Sequence, residues 1–233
     1  MFKIALNAGH YTGTAGKRCS KSLDPNETRE WWLNNRICDK VEEKLKAYTG
    51  YQLLRIDDTT GATDLKPKER AAKANAWGAD FYLSVHHNAG IHGGTGGGIV
   101  AYTYLNNRID DNTRDWQKKL YDALIRYTGL KGNRSTPLAT ATFEEVRLTS
   151  MAAVLLELGF MDSKTDVPII LSEVYAESCA NAIVEVLVSK GGLTKAQVEQ
   201  PKPVETTKPI ADSIKLDTLV SELKAKGYKS IIL

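Results

Sequence analysis

The chain reads as α/β: a single domain with a twisted, largely parallel central sheet flanked by helices, plus a short C-terminal appendage. Three observations predict this. Strand-like runs alternate with stretches of helical periodicity; Phe81–His87 and Met151–Phe160 are apolar almost throughout, as strands buried on both faces are; and the 233 residues, 42% apolar and 25% charged, have the balance of an ordinary globular domain.

The first strand, Phe2–Asn7, alternates and runs into Ala8-Gly9-His10. His10 therefore stands just past a strand's C-terminal end, the edge at which open α/β sheets bind ligands. Tyr11–Asn26 is a surface loop by its Gly, Thr, Ser and Lys content. From Glu30 to Tyr48, apolar residues at Trp31, Leu33, Ile37, Val41 and Leu45 give the spacing of an amphipathic helix, with Asn26 or Thr28 as its cap and Gly50 as its end. A strand over Tyr51–Ile56 precedes a helix over Leu65–Trp77, whose first turn tolerates Pro67. The turn Gly78-Ala79-Asp80 leads into the buried strand Phe81–His87 and then a glycine-rich loop, Gly93–Gly98.

Gly98–Leu105 is the fourth strand, and Asp110–Tyr127 a helix with Trp116, Leu120, Leu124 and Tyr127 on one face. The next stretch is irregular. Met151–Phe160 is the most apolar run and carries Glu157 near its end; Val167–Val188 continues as one helix, closed by Gly191-Gly192. The expected organisation is a main domain over 1–190, a linker over 191–212 containing Pro201, Pro203 and Pro209, and a helix-strand segment over 213–233. Some 20 residues do not bury enough surface to fold alone, so this last segment is expected to dock on the domain, on a copy of itself or on a partner.

A net charge of +3, evenly spread, gives no basic stripe for nucleic acid. Three scattered cysteines, Cys19, Cys38 and Cys179, support neither a disulfide framework nor a thiolate metal site. No run reaches the roughly 18 apolar residues of a membrane span. No secretory leader precedes the first strand, so synthesis in the cytoplasm without a signal peptide is expected.

His10 after the first strand, Glu30 opening the first helix and His86 ending a central strand offer two imidazoles and a carboxylate, one of the three-ligand sets of catalytic zinc. Each has a plainer reading. A strand-end histidine is most often a hydrogen-bonded structural residue, Glu30 suits a helix N-terminus for its charge alone, and Glu27 and His87 compete with their neighbours. Glu157 is the least expected, because a carboxylate closing an apolar strand is costly unless it is used. The glycine-rich loop lacks a Gly-Lys-Ser/Thr ending, and no G-x-S-x-G occurs, so phosphate binding and a serine nucleophile find little support.

The Ala8-Gly9-His10 start, the Glu30-x-x-x-Asn34 helix, the stretch from Arg70 to Asn75 leading to Ala79–Ala89, and the run Val146–Phe160 together resemble the zinc-dependent N-acetylmuramoyl-L-alanine amidases of the Amidase_3 type over about residues 1–190. The resemblance implies zinc held by His10, Glu30 and His86, Glu157 as the catalytic acid/base, and substrate contacts from Asn88 and Arg147. It favours Glu30 over Glu27 because Asn34 comes four residues on. It favours His86 over His87 because the family motif is His, any residue, Asn, Ala; His87 is then expected on the opposite face of the strand. Departures are Tyr11-Thr12-Gly13-Thr14 in place of the family's usual loop and Ala152 where proline is frequent.

The activity that this resemblance implies is hydrolysis of the amide between N-acetylmuramic acid and L-alanine, with bacterial peptidoglycan as partner. The setting it implies is a phage or prophage endolysin that reaches the wall after release, the C-terminal segment serving wall targeting or self-association. The rival expectations are a zinc peptidase cutting within the stem peptide, a non-catalytic wall-binding module and a host autolysin.

Overall fold

In the computed structural model, which describes residues 1–104, 111–196 and 216–226, strand β1 (Phe2–Ala8) lies inside a six-stranded sheet. The elements after it are α1 (Glu30–Leu45), β2 (Tyr48–Thr49), β3 (Tyr51–Arg55), α2 (Pro67–Trp77), β4 (Phe81–Asn88), β5 (Ile99–Tyr104), α3 (Asp111–Thr128), β6 (Leu138–Ala141), α4 (Glu144–Arg147), β7 (Ala152–Phe160), α5 (Val167–Ile170), α6 (Glu173–Gly191), β8 (Thr194–Lys195) and α7 (Leu216–Ala225). The sheet order is β3-β1-β4-β7-β5-β6. All neighbours pair parallel except β5 with β7, so the largely parallel sheet expected from the sequence is present. The backbone separates into a compact unit over Met1–Ala196 and a second over Gln197–Leu233.

Strand alternation sorts side chains between two layers. Phe81, Leu83 and Val85 of β4 join the larger core with Trp31, Leu33, Ile37 and Val41 of α1, Leu120 and Leu124 of α3, and Ile183 and Leu187 of α6. Tyr82 faces the other way, into a smaller core with Ala5, Ala74 of α2, Val146 of α4 and Leu155. Each fully buried Leu, Ile or Val contributes roughly 1.5–3 kcal/mol relative to exposure. The large cluster is therefore what commits α1, α3 and α6 to one face.

Four expectations are corrected. The helix expected over Val167–Val188 is two helices: α5 ends at Ile170, and Ser172 caps α6 by accepting a hydrogen bond from the Tyr175 N–H. The stretch read as irregular holds β6 and α4, a four-residue edge strand and a single helical turn, both too short for periodicity to mark. Neither Asn26 nor Thr28 caps α1; their N–H groups donate to Asp24, and the Glu30 N–H donates to the Lys17 carbonyl. Residues expected to begin a linker are partly in regular structure, since α6 runs to Gly191 and β8 pairs antiparallel with β2. The strand expected over 228–233 lies outside the described residues. No described helix is long and apolar enough to cross a membrane.

Candidate active site

Because β1, β4 and β7 run parallel, their C-terminal ends share one edge of the sheet. His10 leaves β1 with φ of +66°, a left-handed conformation uncommon for any residue but glycine. Arg70 of α2, 2% exposed, holds it there: its guanidinium donates to the Ala8 and His10 carbonyls at 2.6 and 2.7 Å. Gly9 is required for a different reason. A Cβ at this position would stand 2.1 Å from Cε1 of His86, so only glycine lets the imidazole pass this close to the chain. The glycines of the 93–98 loop do not play this part: a Cβ on Gly97 or Gly98 would meet Asp166 or the backbone at Lys131 and Gly132, which places the loop's close approach away from His86.

Glu30, fully buried, reaches back from the first turn of α1. Its Oε1 lies 3.1 Å from Nδ1 of His86 and accepts from the His87 N–H at 3.2 Å. Its Oε2, shielded from water, lies 3.3 Å from Nε2 of His10 and 3.8 Å from Nζ of Lys17. Donor atoms of His10, Glu30 and His86 all fall within 4.8 Å of one another. Two nitrogens and a carboxylate oxygen converging in this way fit a divalent metal ion.

The charges respond to this crowding. Burial works against charge on Glu30, yet the His10 and His86 imidazoles hold its carboxyl well below the ordinary carboxylate range. Burial also opposes charge on His86, but the Glu145 and Glu30 carboxylates push the imidazole up to about 10. His10 is lowered, burial outweighing its one carboxylate neighbour.

His87 points to the α1 side, as alternation predicts. Its Nδ1 lies 2.8 Å from Oδ1 of Asn34, and the Asn34 amide donates to the Gly9 carbonyl at 3.1 Å. Asn34 thus ties β1 and β4 together one turn below Glu30, and burial drives His87 down to about 3, leaving it a neutral histidine of the core.

Glu157 pairs with His86 across the β4–β7 ladder. Its Oε2 is buried without a hydrogen-bond partner among the described residues, and burial pushes its carboxyl up to about 8. Both residues line a cavity of about 380 Å³, together with His10, Lys17, Arg70, Asn88, Leu155 and Phe143. Arg147 does not line it. It is exposed and faces Glu144 at 3.6 Å, because the single turn of α4 directs Glu145 inward and Arg147 outward.

Sequence reasoning passed over Glu145. It is 4% exposed, lines the cavity and lies 3.3 Å from Nε2 of His86, yet it sits in the stretch whose single helical turn leaves no periodic signal. The only available sign was a pair of glutamates ahead of Val146 and Arg147.

The Amidase_3 family profile, described as N-acetylmuramoyl-L-alanine amidase, matches residues 4–189. A sporulation-specific N-acetylmuramoyl-L-alanine amidase of Bacillus subtilis is 31% identical over 242 residues, spanning 100% of this chain and 85% of that protein. An endolysin of Bacillus phage SPP1 is 33% identical over 145 residues, 59% of this chain and 52% of its own length. Among solved structures, the N-acetylmuramoyl-L-alanine amidase of Clostridium difficile 630 superposes with a TM-score of 0.72 at 25% identity, covering 82% of this chain and 97% of that one. With its site gathered on the parallel-strand edge and the family profile spanning almost all of the larger unit, the chain belongs to the N-acetylmuramoyl-L-alanine amidase family Amidase_3.

Proposed function

We propose that His10, Glu30 and His86 hold a zinc ion with which the chain hydrolyses the amide between N-acetylmuramic acid and L-alanine in peptidoglycan. The observation that carries the metal assignment is the convergence of the ligand atoms of His10, Glu30 and His86 within 4.8 Å of one another, with the buried Oε2 of Glu30 beside His10. Zinc bound there supplies Lewis acidity and lowers the pKa of a water molecule.

The proton work falls to Glu157. Among the described residues its Oε2 has no hydrogen-bond partner, and burial raises the carboxyl's affinity for a proton, so in its ionised form this atom is suited to take a proton from water and return it to the departing alanine nitrogen. Asn88 lines the cavity and is assigned to substrate; Arg147, exposed at the end of α4, is assigned to parts of the substrate that extend beyond the cavity.

The reading is tested by metal analysis of the purified protein together with identification of the new amine released from cell walls. One zinc per chain and a new L-alanine terminus are expected. Digestion that survives a chelator overturns the zinc assignment, a new terminus at a later residue identifies a stem-peptide peptidase, and wall binding without any product identifies a non-catalytic module.

The phage SPP1 relative supports an endolysin setting, and the Bacillus subtilis sporulation-specific relative supports a host autolysin as the second setting. Lysis of producing cells only after the inner membrane is breached is the outcome expected of an endolysin. Wall targeting or self-association by residues 213–233 is proposed on the leucine spacing of that segment, Leu216, Leu219 and Leu223.

A further inference from the structure

Beside the three candidate ligands lies a second, buried polar cluster, bordering the same cavity, that the proposed chemistry does not use. Glu145 is at its centre. Oε1 accepts from the Asn7 amide at 3.2 Å and lies 3.9 Å from Nε of Arg70. Oε2 accepts from the Ser84 hydroxyl at 2.6 Å and lies 3.3 Å from Nε2 of His86. Asn7 in turn donates to Ser84 at 2.8 Å and accepts from Arg70 at 2.7 Å. All four residues of the cluster, Asn7, Arg70, Ser84 and Glu145, are buried.

Two carboxylates therefore face the two nitrogens of one imidazole. Glu30 stands at Nδ1 of His86 and Glu145 at Nε2. A neutral imidazole carries a proton on one nitrogen and a lone pair on the other, and an ionised carboxylate only accepts. Whichever nitrogen donates to a carboxylate leaves the other free as a ligand. Nδ1 is the one on the side of Glu30, a candidate ligand itself, whereas Nε2 points to a carboxylate outside the ligand set.

Resting on the zinc reading above, we propose that Glu145 is a positioning residue: it accepts the Nε2 proton of His86, fixing the ring's orientation and presenting Nδ1 as the ligand atom. Carboxylates that hold the far nitrogen of a ligating histidine orient the ring and raise its basicity. Glu145 is unsuited to a direct role, as both its oxygens are occupied by Asn7, Ser84, Arg70 and His86, in contrast to Oε2 of Glu157, which has no hydrogen-bond partner among the described residues. The same cluster extends through Arg70 to the carbonyls of Ala8 and His10, so one buried network supports two of the three ligands.

Two measurements test this, one needing no variant. Nitrogen-15 NMR of histidine-labelled, zinc-loaded wild-type protein is expected to show His86 protonated at Nε2 and metal-shifted at Nδ1; the reverse pattern overturns the proposal. Zinc titration of metal-free protein against a chromophoric chelator is expected to show Glu145→Gln binding about 10-fold to 100-fold more weakly than wild type, with Glu145→Asp recovering part of the loss. Equal affinity in wild type and Glu145→Gln overturns the positioning role while leaving the zinc site standing. Failure of the wild type to bind zinc overturns the zinc reading itself, so the two failures are distinct. If Glu145→Gln does not fold, the wild-type spectrum still decides.

Discussion

His86 and Glu157 are direct partners across the parallel β4–β7 ladder, which places a candidate ligand and a candidate acid/base side by side on rigid backbone. Glu157→Gln keeps the volume of the side chain and removes its capacity to carry a proton. Turnover on purified walls is expected to fall by about 10²–10⁴ with zinc content unchanged. Activity near wild type would falsify the assigned role; a parallel loss of zinc would make Glu157 a ligand.

Adjacent histidines on one strand are expected to behave differently. His86→Ala removes a donor atom from the cluster and should abolish zinc binding in a titration of the metal-free protein. His87→Ala should retain zinc and lower the melting temperature, since it empties a buried site and strands the Asn34 side chain, at a cost of about 1–3 kcal/mol. Equal loss of metal in both variants would contradict the assignment of the two faces.

Much of this was legible in the sequence because it rests on period and length. The alternation along Phe81–His87 set His86 and His87 on opposite faces, and the long apolar runs marked the central strands. What escaped was set by single turns and tertiary partners. α4 is four residues long, so nothing periodic announces that Glu145 points inward, and only the folded positions of Asn7, Ser84 and Arg70 explain why a carboxylate is buried there. The cap of α1 escaped similarly, because Asp24 takes the N–H groups of Asn26 and Thr28 and leaves Arg29 at the helix entry with no side-chain cap.

Gly9→Ala is expected to weaken zinc binding at least about 10-fold while the fold persists. The added methyl would fall 2.1 Å from Cε1 and 2.3 Å from Nε2 of His86, well inside contact distance, so the ring must move from its place between Glu30 and Glu145. Chelator competition reads the affinity and circular dichroism the fold. Wild-type affinity would show that the ring does not need this clearance.

Asp24 organises the loop that delivers Glu30, and its contribution should be visible in the acid limb of stability. Burial acts to raise its carboxyl, but hydrogen bonds from Thr28 and Asn26 more than offset this and hold it below the ordinary aspartate value. The sign comes from linkage: a depressed folded-state value gives stability that is complete above the unfolded aspartate value of about 3.9 and is lost as pH falls through the folded one. Asp24→Asn keeps the shape but turns one acceptor into a donor facing an N–H, so it should destabilise the protein by about 1–2 kcal/mol at neutral pH. The gap between the two proteins, measured by urea unfolding at a series of pH values, should then close as the wild-type carboxylate takes up its proton. A gap that stays constant down to pH values well below the aspartate range would mean that the charge at Asp24 does not hold the loop, and that the arrival of Glu30 in the site depends on the backbone bond to Lys17 instead.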